Sequence, residues 1–417
     1  MENIKLIKVN QKFDNKKINN IAEVISNEFK RIQLDHKILP GMTIGITVGS
    51  RGIDNLQLII KSIISEVKKI KGIPFIVTAM GSHGGATAEG QKEVLANYGI
   101  TEESMGVPIK ASMETVELGQ LENNLPVYFD KIAYNADGII VVNRIKVHTA
   151  FKAEIESGLH KMLSVGLGNH QGAKLVHSLG VKGIRDYMVE FAKVILKKAP
   201  ILAGFGILEN GYDQTLKIVA ARPEELDRVD KELLREGKQI LPKLPVKYID
   251  ILIIQEMGKN ISGTGMDTNV IGGIKDFKAG EYEPSVIKKL LVLDLTPETH
   301  GNALGIGMAD MITRKLYEKI DLKATNMNTI TTTFLDRARI PIVFDTDKDA
   351  LEVGLKTICN LPGMKPRIII IKNTLKLDQL YVTEAIWEEI KNEKNITPSG
   401  DWEKINFDDS GNLLTRI

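Results

Sequence analysis

The chain has 417 residues, 43% of them hydrophobic and 26% charged, with 55 Lys and Arg against 53 Asp and Glu for a net charge of +2. A chain of this length exceeds one ordinary core, so two domains are expected, and the near balance of charge excludes a global field for nucleic acid or an anionic membrane. A single cysteine, Cys359, excludes an internal disulfide and an all-thiolate metal site. The N-terminal segment MENIKLIKVNQKFDNKK is polar, and no apolar run approaches the roughly 20 residues that span a bilayer, which points to a cytoplasmic protein without a membrane partner.

In chain order, apolar residues at helical spacing predict a helix over Ile21 to Arg31, followed by Pro40-Gly41 as punctuation. Met42 to Val48 reads as a strand that runs into Gly49-Ser-Arg-Gly-Ile-Asp54 and a helix from Asn55 to Lys71. A strand ending in Gly-Ser-Arg before a helix is a place where backbone N–H groups and a guanidinium can meet an anion. The unit repeats: a strand over Ile73 to Ala79, the loop Met80-Gly-Ser-His-Gly-Gly-Ala86, and a helix opened by Thr87 as N-cap. His83 stands among Gly81, Gly84 and Gly85 in a loop that packs nothing and can approach a ligand closely. Neither loop fits GxGxxG or GxxxxGK[ST], which argues against dinucleotide and P-loop sites.

The stretch from Asn143 to Leu179 then holds four of the seven histidines, His148, His160, His170 and His177, around Lys161. The apolar run Asp137 to Val142 suits a buried strand, so His148 lies near its C-terminal end, where ligands bind in open α/β sheets. Lys161 falls just before the glycines of Val165-Gly-Leu-Gly168, and His170 and His177 follow on a helix, seven residues apart and on nearly one face. Singly, such residues are surface or satisfied core groups; clustered among glycines, they are hard to explain as packing.

Further helices are expected over Val181 to Lys198 and Glu224 to Leu241, the latter charged and exposed, with Pro242 and Pro245 marking a boundary between domains 1–245 and 246–417. The second half restarts with a strand over Tyr248 to Gln255 and the loop Glu256 to Asp267, which bears Lys259. Leu290 to Leu295, Thr329 to Phe334 and Ile368 to Ile371 read as strands, and Asp378 to Lys391 as a late helix that could pack back on the first domain. The expected fold is α/β: two α/β domains with mainly parallel sheets and an active-site cleft between them.

The succession SRG with Arg51, GSHGG with His83, VHT with His148, SGLHK with Lys161, and His177 sixteen residues beyond that lysine resembles the nickel-dependent lactate racemase family. The resemblance implies a racemase or epimerase of a 2-hydroxy acid, with a nickel-pincer nucleotide cofactor: a pyridinium-3-thioamide-5-thiocarboxylate mononucleotide whose ring carbon and two sulfurs bind Ni. By similarity, Lys161 is the lysine joined to the cofactor through the thioamide, with Ser50, Arg51 and Gly166 beside it, and His177 is the nickel ligand. A soft donor set completed by imidazole suits nickel and explains how a chain with one cysteine hosts a sulfur-ligated metal. The resemblance further implies that His83 and His148 are the pair of bases, that Arg51 holds the substrate carboxylate or oxyanion, and that Lys259 adds a cation from the second domain. Removal of the C2 hydrogen as hydride, with the hydroxyl proton taken by a base, gives a 2-keto acid intermediate that can be reduced on either face.

Two departures bear on the substrate. His83 is followed by Gly84-Gly85 where the lactate enzyme has arginine and proline, and neither Trp387 nor Trp402 falls where that enzyme's pocket aromatic belongs. The resemblance therefore implies a relative acting on a 2-hydroxy acid not limited to lactate, with cofactor-synthesis proteins as partners and an oligomer left open. The competing classes are a non-catalytic binder of a nucleotide or sugar acid, and a metal-dependent hydrolase using His148, His170 and His177; the second lacks HExxH.

Overall fold

A computed structural model of the chain describes residues 4–274, 283–361 and 363–417. It divides into two compact units, Asp14–Leu241 and Met1–Phe13 with Pro242–Ile417. The first strand, β1 (Lys5–Gln11), belongs to the second of these, although a simple cut at residue 245 would leave it in the first.

The Asp14–Leu241 unit is built on β2 (Thr43–Val48), β3 (Ile73–Thr78), β4 (Ile109–Lys110), an antiparallel hairpin of β5 (Thr115–Gln120) and β6 (Pro126–Asp130), then β7 (Gly138–Arg144), β8 (Ile201–Glu209) and β9 (Thr215–Ala221). The main sheet runs β4-β3-β2-β7-β8-β9, parallel throughout except for β9. From β2 the chain first builds outward through β3 to β4, then returns to lay β7 on the other side of β2. The loops after β2 and β7 therefore leave the sheet in opposite directions, the topology that in such sheets favours ligand binding at the carboxyl ends of the strands.

Alternation along β8 shows how the two faces are covered. Ala203, Phe205 and Ile207 join the core formed with the helices Ile21–Arg31 and Leu56–Lys69, where Phe205 meets Phe29 with ring centroids 5.5 Å apart. Gly204 and Gly206 point the other way, where a Cβ would lie 2.9 Å from Leu159 and 3.0 Å from Leu233. Only glycine lets the helix Leu226–Ile240 come this close to the sheet. That helix is charged, as the sequence indicates, but it is not exposed all round: Leu226, Val229, Asp230, Leu233 and Leu234 are buried at helical spacing.

The other unit carries β10 (Tyr248–Ile254), β11 (Val286–Val292), β12 (Met311–Thr313), β13 (Ile342–Phe344), β14 (Ile368–Asn373), β15 (Lys376–Thr383), β16 (Ile396–Pro398) and β17 (Glu403–Lys404). Its sheet order is β13-β12-β11-β10-β14-β15-β1-β16, with β17 also on β1; the members from β10 to β14 run parallel. Leu252 and Ile254 enter one apolar cluster while Ile251 and Ile253 enter another, so β10 is buried on both faces. Its unbroken apolar run is the signature of such a strand.

Two expectations fail in this unit. Thr329 to Phe334 is not a strand; Leu322–Thr332 is a helix capped by Asp321, and the Thr329 and Thr331 hydroxyls donate to the Thr325 and Met327 carbonyls one turn back, at 2.7 and 2.8 Å. These internal bonds satisfy β-branched polar side chains that would otherwise favour a strand. The helix expected over Asp378 to Lys391 is instead β15 followed by the short helix Glu384–Ile390, because Leu380 and Val382 alternate into the core beside β14 and β1. Among the described residues, no helix is long and apolar enough to cross a membrane.

Candidate functional site

The loops at the carboxyl ends of β2, β3 and β7 bring most of the singled-out residues into one unit. The β2 loop carries Ser50 and Arg51, the β3 loop His83, and the β7 loop His148 and then Lys161. Close backbone contact fixes the loops to each other: the Gly81 N–H donates to the Gly166 carbonyl at 3.1 Å. A Cβ at Gly166 would meet the Ala79 carbonyl at 2.8 Å, so this buried glycine is required for packing. Gln91, fully buried, donates to the Gly81 carbonyl at 3.0 Å and steadies the turn that holds His83.

His83 is exposed at residue level, with Nδ1 3.0 Å from the Met80 carbonyl and 3.1 Å from Ser50 Oγ. Protein crowding around the ring, then the Arg51 guanidinium and the charges of Lys161 and His177, lower its pKa to about 4 against the help of the Met80 carbonyl. It is neutral at any ordinary working pH.

His148 is half-buried, its ring 4.5 Å from that of Phe151, and its Nδ1 accepts the Ala150 N–H at 3.1 Å. Its Nε2 lies 3.3 Å from Lys161 Nζ. A buried carboxylate anchors this loop: Glu156 accepts the His148 N–H at 2.7 Å and the Ala153 N–H at 3.1 Å, and pairs with Lys238 at 2.7 Å and Lys152 at 3.5 Å. Lys152 in turn donates to the His148 carbonyl at 2.8 Å.

Lys161 is placed from behind by a group with no signal in the sequence. Asp230, 1% exposed on the helix Leu226–Ile240, accepts the Leu159 and His160 N–H groups at 2.9 Å each and the His160 ring at 2.7 Å. His160 is thus a buried structural residue, and Lys161, next to it, opens a π-helical turn over Met162–Gly166. Burial, with Arg51 adding to it, lowers the Lys161 pKa to about 8. A buried ammonium loses hydration and gains like-charge repulsion, so the neutral amine is favoured. Lys161 in the full chain should therefore be modified by a small amine-directed acylating reagent with a midpoint near pH 8. The amine reacts only when neutral, so removing a positive neighbour with Arg51→Met should move that midpoint upward, as read by peptide mass mapping.

His177 is half-buried in the last turn of the helix Asn169–Ser178, and burial followed by the Lys161 charge lowers its pKa. His170, on the same helix, is exposed, so the two share an element but not an environment. Among the described residues, no group of three or more His, Cys, Asp or Glu is arranged to hold a metal ion, and the trio His148, His170 and His177 forms no such group. Lys259 lies in the other unit, where its ammonium donates to the Gly263 carbonyl and to Asn328 Oδ1 at 2.8 Å.

The sequence model of the lactate racemase N-terminal domain family matches residues 2–182. Those residues are similar to a lactate racemase N-terminal domain. The matched span includes every lactate racemase motif residue from Arg51 to His177 and stops short of Asp230 and Lys259. No curated protein sequence matches the chain. Among solved structures, the lactate racemase apoprotein from Thermoanaerobacterium thermosaccharolyticum aligns over 89% of this chain and 98% of its own, at 14% identity and a TM-score of 0.52. A protein from Thermotoga maritima aligns over 66% of this chain and 69% of its own, at 13% identity and a TM-score of 0.48. The first likeness shows that the mixed α/β, mostly parallel fold is that of lactate racemase.

Proposed function

We propose that the Asp14–Leu241 unit holds a nickel-pincer nucleotide and interconverts the two configurations of a 2-hydroxy acid other than, or in addition to, lactate. The observation that carries this reading is the neighbourhood of Lys161: its amine touches His148, its charge reaches His83 and His177, and its own proton is held weakly. Exposed charges are screened beyond about 8 Å in physiological salt, so charges that still feel one another support a shared site.

The residues present fit the cofactor. Covalent attachment needs a neutral amine and metal ligation needs a neutral imidazole, and burial favours the neutral form of both Lys161 and His177. Arg51 brings a permanent positive charge for a phosphate or a carboxylate. When bound, the group supplies a reversible acceptor for the C2 hydrogen and its electron pair. The protein then has to orient the hydroxy acid, exclude water and move the hydroxyl proton. His83, uncharged and solvent-accessible at the loop edge, is suited to that last task. The reading rests on the first unit, and Lys259, which belongs to the other, is a further cation it would use.

The test is intact mass and metal analysis of the full chain produced beside a cofactor-making pathway, followed by optical assay of a panel of 2-hydroxy acids. One adduct and one nickel per chain, with loss of optical activity for at least one substrate, is the expected result. A chain that gains neither adduct nor nickel overturns the reading.

A further inference from the structure

The lysines around the His148 loop are not balanced alike. Lys238 and Lys152, which brace the loop, share the buried carboxylate of Glu156 at 2.7 and 3.5 Å. Lys161 has no such partner. Among the described residues, the one polar contact of its side chain is His148 Nε2 at 3.3 Å, and no carboxylate pairs with Arg51 either. The charges that act on Lys161, His83 and His177 are those of Arg51, Lys161 and His177 themselves, all positive. A cluster left without a counter-ion by the fold is ready to receive an anion, and an amine desolvated beside another cation is a nucleophile rather than a structural charge.

We propose that Lys161 of the unloaded chain condenses with a 2-keto acid to form an imine, the acid's carboxylate being held by Arg51. The chemistry uses only the chain's own residues and does not depend on the proposed cofactor, whose attachment would consume the same nitrogen.

Imine formation has three requirements, and different features meet each. The amine must offer a lone pair, and burial together with Arg51 favours its neutral form. It must be held in place: Asp230 fixes the backbone just before it through the Leu159 and His160 N–H groups at 2.9 Å each, and His148 meets the amine itself. It must be reachable, and Lys161 is half-buried while Arg51 is exposed. A 2-keto acid carries its carboxylate on the carbon next to the carbonyl, so an anion gripped by the guanidinium fork brings the electrophilic carbon to the amine side of the cluster. The amine lone pair attacks C2, an N–H proton passes to the carbonyl oxygen, and the carbinolamine loses water to leave a C=N bond to Nζ. Nothing is oxidised or reduced. The bound carboxylate also offsets the positive charge of a protonated imine beside Arg51.

Reductive trapping tests this. The full apoprotein, made without a cofactor-making pathway, is incubated at neutral pH with pyruvate and cyanoborohydride, which reduces C=N to a stable secondary amine. Peptide mass mapping then locates the carboxyethyl group and compares Lys161 with exposed lysines in the same sample. Strong preference for Lys161 is the expected result. Acetone, in which a methyl group replaces the carboxylate, should show only the smaller preference owed to a neutral amine. Arg51→Met should cut the preference with pyruvate on the order of tenfold, the worth of one charged hydrogen bond, and the preference with acetone by less. Labelling of Lys161 no greater than that of exposed lysines, an equal preference with both ketones, or an unchanged preference in folded Arg51→Met overturns the proposal. A chain that traps pyruvate but gains neither adduct nor nickel beside a cofactor-making pathway defeats the proposed function alone; one that loads but traps no pyruvate defeats this inference alone.

Discussion

A chain carrying Lys161→Ala, produced beside a cofactor-making pathway, is expected to keep the mass of bare polypeptide, because no other amine replaces the one held against His148. His83→Ala should take up the full adduct, since Lys161 and His177 are untouched, yet lose roughly 10²- to 10⁴-fold in turnover through loss of its base. Mass spectrometry separates attachment from chemistry here, and optical assay then reports the second. Equal loading of the two variants would remove Lys161 from its assigned role. A fall in nickel content for His177→Ala, with the adduct retained on Lys161, completes the separation of the two attachment points.

Asp230→Ala is expected to be the most damaging substitution outside the reacting groups. It leaves two backbone N–H groups and the His160 ring without their acceptor in a place where both residues are 1% exposed. Removing one member of such a buried pair costs about 3–5 kcal/mol. For a domain of this size that corresponds to a fall in melting temperature on the order of 10 °C, measurable by calorimetry on the apoprotein. Asp230→Asn keeps one carbonyl oxygen as acceptor and should recover part of the loss. Parent-like melting of the alanine variant would show that the carboxylate does not hold the Lys161 turn.

The sequence made the candidate site readable because strand, glycine loop and helix follow one another without interruption. Met42 to Val48 with its Ser50-Arg51 loop, Ile73 to Ala79 with His83, and the run before His148 each occupy the expected strand ends. Thr87 caps its helix by accepting the Gly90 N–H. What supports those loops was not readable. Asp230 lies 70 residues from His160 in the chain, and one aspartate among many charges on a helix gives no sign of facing inward. Glu156 is hidden in the same way: its burial arises from two lysines and two backbone donors that only the fold assembles. The Thr329 to Phe334 run misleads for a different reason, since hydroxyls bonded one turn back remove the conflict between β-branching and a helix.

The partners of β1 set an order of events for a chain emerging from the ribosome. Leu6 pairs with Thr383, so the strand made first must wait for one made almost last. At about 5–20 residues per second, that wait lasts on the order of 20 to 80 seconds. Residues 14–241, complete long before, can fold in that interval, while the N-terminal segment trails as an open edge exposed to stray pairing. The lysines on that segment, Lys5, Lys8 and Lys12, are the type of charge that keeps such an edge from recruiting neighbours until its own sheet arrives.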